Sequence, residues 1–169
     1  MTARTRRSYE VGHRPKFLVV ADATQECERA VYFAARRASR IGGGLTMVCV
    51  IEPGEFQHWL GVGDVMRQEA EEDAARLLEG YADRARAVAG VEPERIIREG
   101  KRADEIVRLI EEDEDIAYLV LAAGIGSDGP GPLVSSIAHA AAAFPEPVVI
   151  LPAGLKDAEQ KAPKKSKAE

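Results

Sequence analysis

Residues 118–152 read YLVLAAGIGSDGPGPLVSSIAHAAAAFPEPVVILP. An apolar run, Tyr118–Ala122, passes into a glycine-rich loop, then a short alanine-rich helix, then a second apolar run at Pro147–Leu151. Strand, loop, helix and strand in that order form the unit of a parallel sheet, because parallel neighbours need a crossover connection. A loop that leaves the C-terminal end of a buried strand and enters a helix is also where open α/β sheets bind ligands. Its N–H groups, with those of the helix behind it, suit an anion. Asp128 opposes that by its charge, and Pro130 and Pro132 by having no N–H to donate.

The same alternation extends upstream. Lys16–Asp22 is an apolar run ending in an acid, as expected of a strand buried on both faces. Thr24 stands where a helix cap belongs. Cys27, Val31, Ala34, Ala38 and Ile41 mark one face of the helix that follows, and Gly42-Gly43-Gly44 stops it. Leu45–Ile51 reads as a second buried strand closed by Pro53. The loop from Pro53 to Asp64 carries Phe56 and the only tryptophan, Trp59, which either pack back on the domain or mark a lid or subunit contact.

Met66, Ala70, Ala74, Leu77, Leu78, Tyr81, Ala85 and Val88 trace a long amphipathic helix. Arg95–Arg98 is a third strand, turned by Glu99-Gly100 into a helix carrying Ala103, Ile106, Val107 and Ile110. The acidic run Glu111–Asp115 reads as a solvated helix end. The whole gives five strands alternating with four helices, an α/β domain with a mostly parallel open sheet and helices on both faces. Residues 1–14 read as a disordered basic segment, 15–153 as the domain, and 154–169 as a disordered lysine-rich tail.

Bulk composition narrows the function classes. The chain has 169 residues, 46% hydrophobic and 30% charged, with a net charge of −5, so no nucleic-acid partner is expected. No apolar run reaches the roughly 18 residues that cross a bilayer, and no signal-peptide core follows the N-terminal arginines. No membrane partner and a cytoplasmic location are therefore expected. Cys27 and Cys49 read as packing residues. His13, His58 and His139 have no metal-ligand spacing, and no catalytic triad or nucleophile elbow is readable.

Gly124-Ile-Gly126-Ser-Asp-Gly129 formally satisfies the dinucleotide pattern GxGxxG. The prolines behind it, and the absence of an acid at the end of the next strand, argue against a dinucleotide. Because Pro130-Gly131-Pro132 follows directly, the helix is not expected to begin where a pyrophosphate would need its N-terminus. For phosphate, the favourable groups are the N–H groups from Gly126 to Gly129 and the pair Ser135-Ser136, either of which could cap the helix instead. Asp22, at the tip of the first strand, is placed either to accept a hydrogen bond from a base or ribose or to cap its own turn.

Taken in order, several features resemble the universal stress protein family over Pro15–Pro152. They are the strand ending in Asp22, Glu28-Arg29-Ala30, Val50-Ile51-Glu52-Pro53, Glu99-Gly100 and Pro147-Val148-Val149. The resemblance implies a Rossmann-like fold of the adenine nucleotide alpha hydrolase type, with strand order 3-2-1-4-5. In ATP-binding members of that family adenosine is held by residues matching Asp22 and Val50, with the third-strand glycine matching Gly100. The family's phosphate loop, Gly-x2-Gly-x9-Gly-Ser/Thr, falls on Ala123, Gly126, Val134 and Ser135, with the second interval about two residues short. The adenosine half is thus kept, while the phosphate half is altered by substitution, shortening and proline insertion, which disfavours tight ATP binding.

The resemblance also implies a homodimer through the last strand, Val148–Leu151, whose apolar, charge-free edge needs covering. The expectation is a non-catalytic stress-response protein, with adenosine, AMP, ATP or no ligand open. A slow Mg-dependent ATPase using Asp128 is the alternative.

Overall fold

Each apolar run becomes a strand and each amphipathic stretch a helix: β1 (Lys16–Val20), α1 (Gln25–Ile41), β2 (Gly44–Ile51), α2 (Gly63–Ala89), β3 (Glu94–Glu99), α3 (Arg102–Glu112), β4 (Ile116–Ala122), α4 (Pro132–His139) and β5 (Val148–Leu151). The computed structural model describes residues 5–53, 63–124, 129–140, 144–152 and 154–155. Phe56, Trp59, Gly126, Asp128 and the tail from 156 onward lie outside the described residues.

The sheet is parallel throughout, in the order β3-β2-β1-β4-β5. Alternate strand residues feed two cores, as a strand's period of two requires. Phe17, Val19, Leu45, Met47 and Val120 pack with the buried faces of α1 and α2. Leu18, Val20, Val48, Val50, Leu119 and Leu121 pack with α3 and α4. A register shift at the start of the β1–β4 pairing lets both Ile116 and Leu119 face the second core, although they are an odd number of residues apart. The same shift sets Tyr118 opposite Phe17, where the rings stack with centroids 5.0 Å apart. Among the described residues no helix is long and apolar enough to cross a membrane.

Gly42 ends α1 in the left-handed region, at φ 65°, a conformation glycine adopts without steric penalty. The two sheet edges differ. β3 carries four charged residues, Glu94, Arg95 and Glu99 exposed and Arg98 half-buried, which blunts pairing with another strand. β5 presents Val148, Val149 and an exposed Ile150.

From residue 5 onward, the N-terminal segment expected to be disordered is tied down. Arg6 donates to the carbonyls of Ile110 (2.5 Å), Asp113 (2.8 Å) and Ile116 (2.6 Å), and pairs with Glu146 at 2.6 Å. Since α3 has no basic residue in its last turn, Arg6 supplies the cation that its C-terminal carbonyls favour. Arg7 N–H donates to Glu114 O, the Tyr9 hydroxyl to that of Tyr118, and Arg14 to the carbonyls of Gly42 and Gly43. His13 Nδ1 lies 2.6 Å from Asp115 Oδ1, and Lys16 bridges Asp113 and Glu94. Asp113, Glu114 and Asp115 are therefore counter-charges of the basic segment, while Glu111 and Glu112 stay exposed at the helix end as expected. Two charge runs far apart in sequence meet where β1 and β4 begin side by side.

Candidate functional site

Reversal of strand order between β1 and β4 leaves a crevice at their C-terminal tips, since β2 and β3 lie to one side and β5 to the other. A cavity of ~210 Å³ opens there. Val20, Leu121 and Val134 give it apolar walls, while Asp22 and Glu26 present carboxylates and Arg102 a guanidinium. A second cavity of ~240 Å³ adjoins it, with Arg102, Pro132 and Leu133 in common, and adds Glu52, Lys101 and Ser136.

Asp22 stands at the strand tip as its sequence position implies, and it does cap its own turn. Its Oδ1 accepts from the Thr24 N–H at 3.0 Å and from the Thr24 hydroxyl. Thr24 thus occupies the cap position of α1 without capping it, because its hydroxyl is turned to Asp22. The Tyr81 hydroxyl fixes the same turn by donating to the Asp22 carbonyl at 2.8 Å. Cys27 also lines the cavity, and burial pushes its thiol up to about 11, which keeps it protonated near neutral pH. Burial also raises the Cys49 thiol, opposed by the positive charge of Arg102.

The other expected residues are dispersed. Val50 is buried in the second core, packed with Ile106 and Val48. Gly100, at φ 150°, continues the β2–β3 ladder through its N–H to Ile51 O at 2.9 Å. The space a Cβ would need there is filled by Glu105, whose Oε1 would lie 2.8 Å from it. Gly100 therefore admits a neighbouring side chain, and it does not line the crevice cavities. Gly124 follows β4, donates to Pro130 O at 3.0 Å, and lies against the Glu26 carboxylate. Gly129 is exposed at φ 87°. Gly126 lies outside the described residues, as does Asp128.

Two expectations for the last helix are corrected. α4 begins at Pro132 itself, because proline is tolerated in the first turn, where an N–H has no intrahelical partner. Its first turn lines the crevice after all. Ser135 and Ser136 consequently sit inside the helix, and Gly131 occupies the cap position with no side-chain cap bond. Ser135 N–H donates to Gly131 O and its carbonyl accepts from His139 Nδ1. Ser136 is exposed and lines the second cavity.

Sequence reasoning missed Arg102, Glu26 and Glu52, all charged residues near helix starts or strand ends. The available signal was position: Arg102 follows the third-strand turn Glu99-Gly100, which was itself recognised. Among the described residues no cluster of three or more His, Cys, Asp or Glu side chains is placed to hold a metal ion.

The sequence model of the universal stress protein family matches residues 13–152. Universal stress protein UspA from Lactobacillus plantarum superposes with a TM-score of 0.67 at 18% identity, over 81% of this chain and 97% of that one. A universal stress protein in complex with cAMP gives 0.59 at 20% identity, over 81% and 95%. The universal stress protein from Archaeoglobus fulgidus in complex with dAMP gives 0.54 at 21% identity, over 80% and 95%. At such identities the likeness establishes a shared fold. No curated protein matches the chain.

Proposed function

The chain belongs to the universal stress protein family, and from that premise we propose that it is a non-catalytic, homodimeric binding protein whose crevice holds an adenine nucleoside or nucleotide. The observation that carries this reading is the cavity at the β1/β4 switch point, with apolar walls for a flat base and Asp22 at its rim for hydroxyl or amine donors. Asp22 Oδ1 is engaged by Thr24, and a carboxylate oxygen can accept more than one bond. The complexes of structural neighbours with cAMP and dAMP support an adenine ligand.

Tight triphosphate binding is disfavoured on two grounds. Pro130 and Pro132, at the entry to α4, have no N–H to give. Asp22 and Glu26 line the same cavity, and a like charge about 4 Å away costs on the order of 4 kcal/mol at an effective dielectric of about 20. Calorimetric titration with adenosine, AMP and ATP tests the reading. Binding of adenosine and AMP is expected, with ATP no tighter than AMP; absence of heat and of thermal shift with all three at millimolar ligand would overturn it.

Dimerisation through β5 is supported by the contrast between its apolar edge and the charged edge of β3. Light scattering is expected to return twice the mass of one chain, and Ile150→Lys to shift it toward that of one. A wild-type protein of single mass at micromolar concentration would remove the dimer.

A further inference from the structure

We propose that Arg102 is a phosphate anchor set between the two adjoining cavities, and that it limits the crevice to ligands carrying a single phosphate. This rests on the reading that the crevice takes an adenine nucleoside. Arg102 opens α3, is half-buried, and lines both cavities. Its main chain is held in place, the N–H donating to Glu52 Oε1 at 3.3 Å. Its guanidinium, among the described residues, makes no hydrogen bond or ion pair. Arg98 on β3 and Arg108 on α3, by contrast, pair with Glu112 and Glu105. A partly desolvated cation that no described residue pairs is free to take a ligand anion.

Charge changes sign across Arg102. On its inner side stand Asp22 and Glu26, which suit the donor groups of a ribose or base. On its outer side Lys101 joins it, against the one carboxylate of Glu52. A ligand with a neutral, donor-rich body and one anionic group fits this order of charges. Guanidinium takes a phosphate through two parallel N–H bonds, and Lys101 supplies the second positive charge for a dianion. A second or third phosphate would extend toward Glu52 with no further cation lining these cavities.

Titration of Arg102→Ala and Arg102→Lys with AMP and with adenosine separates this claim from the one beneath it. Arg102→Ala is expected to weaken AMP about tenfold or more, to leave adenosine within about twofold, and Arg102→Lys to fall between. Circular dichroism of both variants should match the wild type, since among the described residues the side chain makes no hydrogen bond or ion pair. Equal losses for AMP and adenosine, or no loss of AMP, would overturn the anchor while leaving the crevice intact. ATP binding the wild type more tightly than AMP would overturn the single-phosphate limit. If neither adenosine nor AMP binds the wild type, the crevice reading and the anchor fall together.

Discussion

Replacing Gly100 by alanine is expected to lower the unfolding free energy by about 2–6 kcal/mol, from backbone strain of roughly 1–3 and overpacking of similar size. At φ 150° an L-residue is strained whatever the space around it. The new Cβ would also lie 2.9 Å from Glu105 Cγ and 3.1 Å from its Cδ. Glu105 cannot simply swing away, being 6% exposed and paired with Arg108. Urea unfolding of Gly100→Ala, Glu105→Ala and the double variant checks the cause. The double variant should recover about 1 kcal/mol relative to the sum of the singles, because the collision is gone and the strained φ remains. Simple additivity would mean that Glu105 is not what the glycine makes room for. Because Gly100 lines neither crevice cavity, folded Gly100→Ala should still bind adenosine within about threefold. Lost binding at unchanged stability would give Gly100 back to the ligand.

The second large effect lies at the opposite end of the strands, where β4 begins. Arg6→Ala is expected to cost about 2–4 kcal/mol, since it frees three carbonyls and leaves a buried acid without its cation. The acid is Glu146, with a side chain only 9% exposed. Burial already pushes its carboxyl above the ordinary value of 4.5, and Arg6 restrains that rise. A raised folded-state value means that the fold keeps the proton after the unfolded chain has lost it. Stability from this group is therefore full at acid pH and declines as pH rises through the carboxylate range. Without Arg6 the decline is larger, so the deficit of Arg6→Ala should be greatest near neutrality and shrink below the ordinary carboxylate range. Chemical denaturation at neutral and mildly acidic pH measures this. A deficit that is constant or grows on acidification would contradict the pairing.

The strands were legible because runs such as Phe17–Val20 and Leu119–Leu121 are apolar without alternation, as burial on both faces demands. The order of the sheet came from the family resemblance, since periodicity says nothing about which strands are neighbours. The N-terminal segment was misjudged for a physical reason. Its basic residues and the acids Asp113, Glu114 and Asp115 each look like solvated surface alone, and only the juxtaposition of β1 and β4 turns them into pairs such as Lys16 with Asp113. At the site, Asp22 was readable because an acid ending an apolar run is conspicuous. Arg102 was not, because a charge at the start of an amphipathic helix is ordinary. Gly100 could not be divided between ligand contact and packing until Glu105 was seen to occupy its Cβ space. Pro132 was taken to delay a helix that it in fact opens.

Amide hydrogen exchange, recorded with and without AMP, tests most directly whether the strand tips on either side of the β1/β4 reversal form the ligand site. Slowed exchange is predicted around Asp22–Thr24, at Arg102–Ala103 and at Leu133–Val134, the described positions nearest the crevice, with Arg7 and Tyr9, packed by β4 away from the crevice, unchanged. Protection confined to the groove between α1 and α2, at Gly80–Arg84, or to the N-terminal segment, would contradict the account.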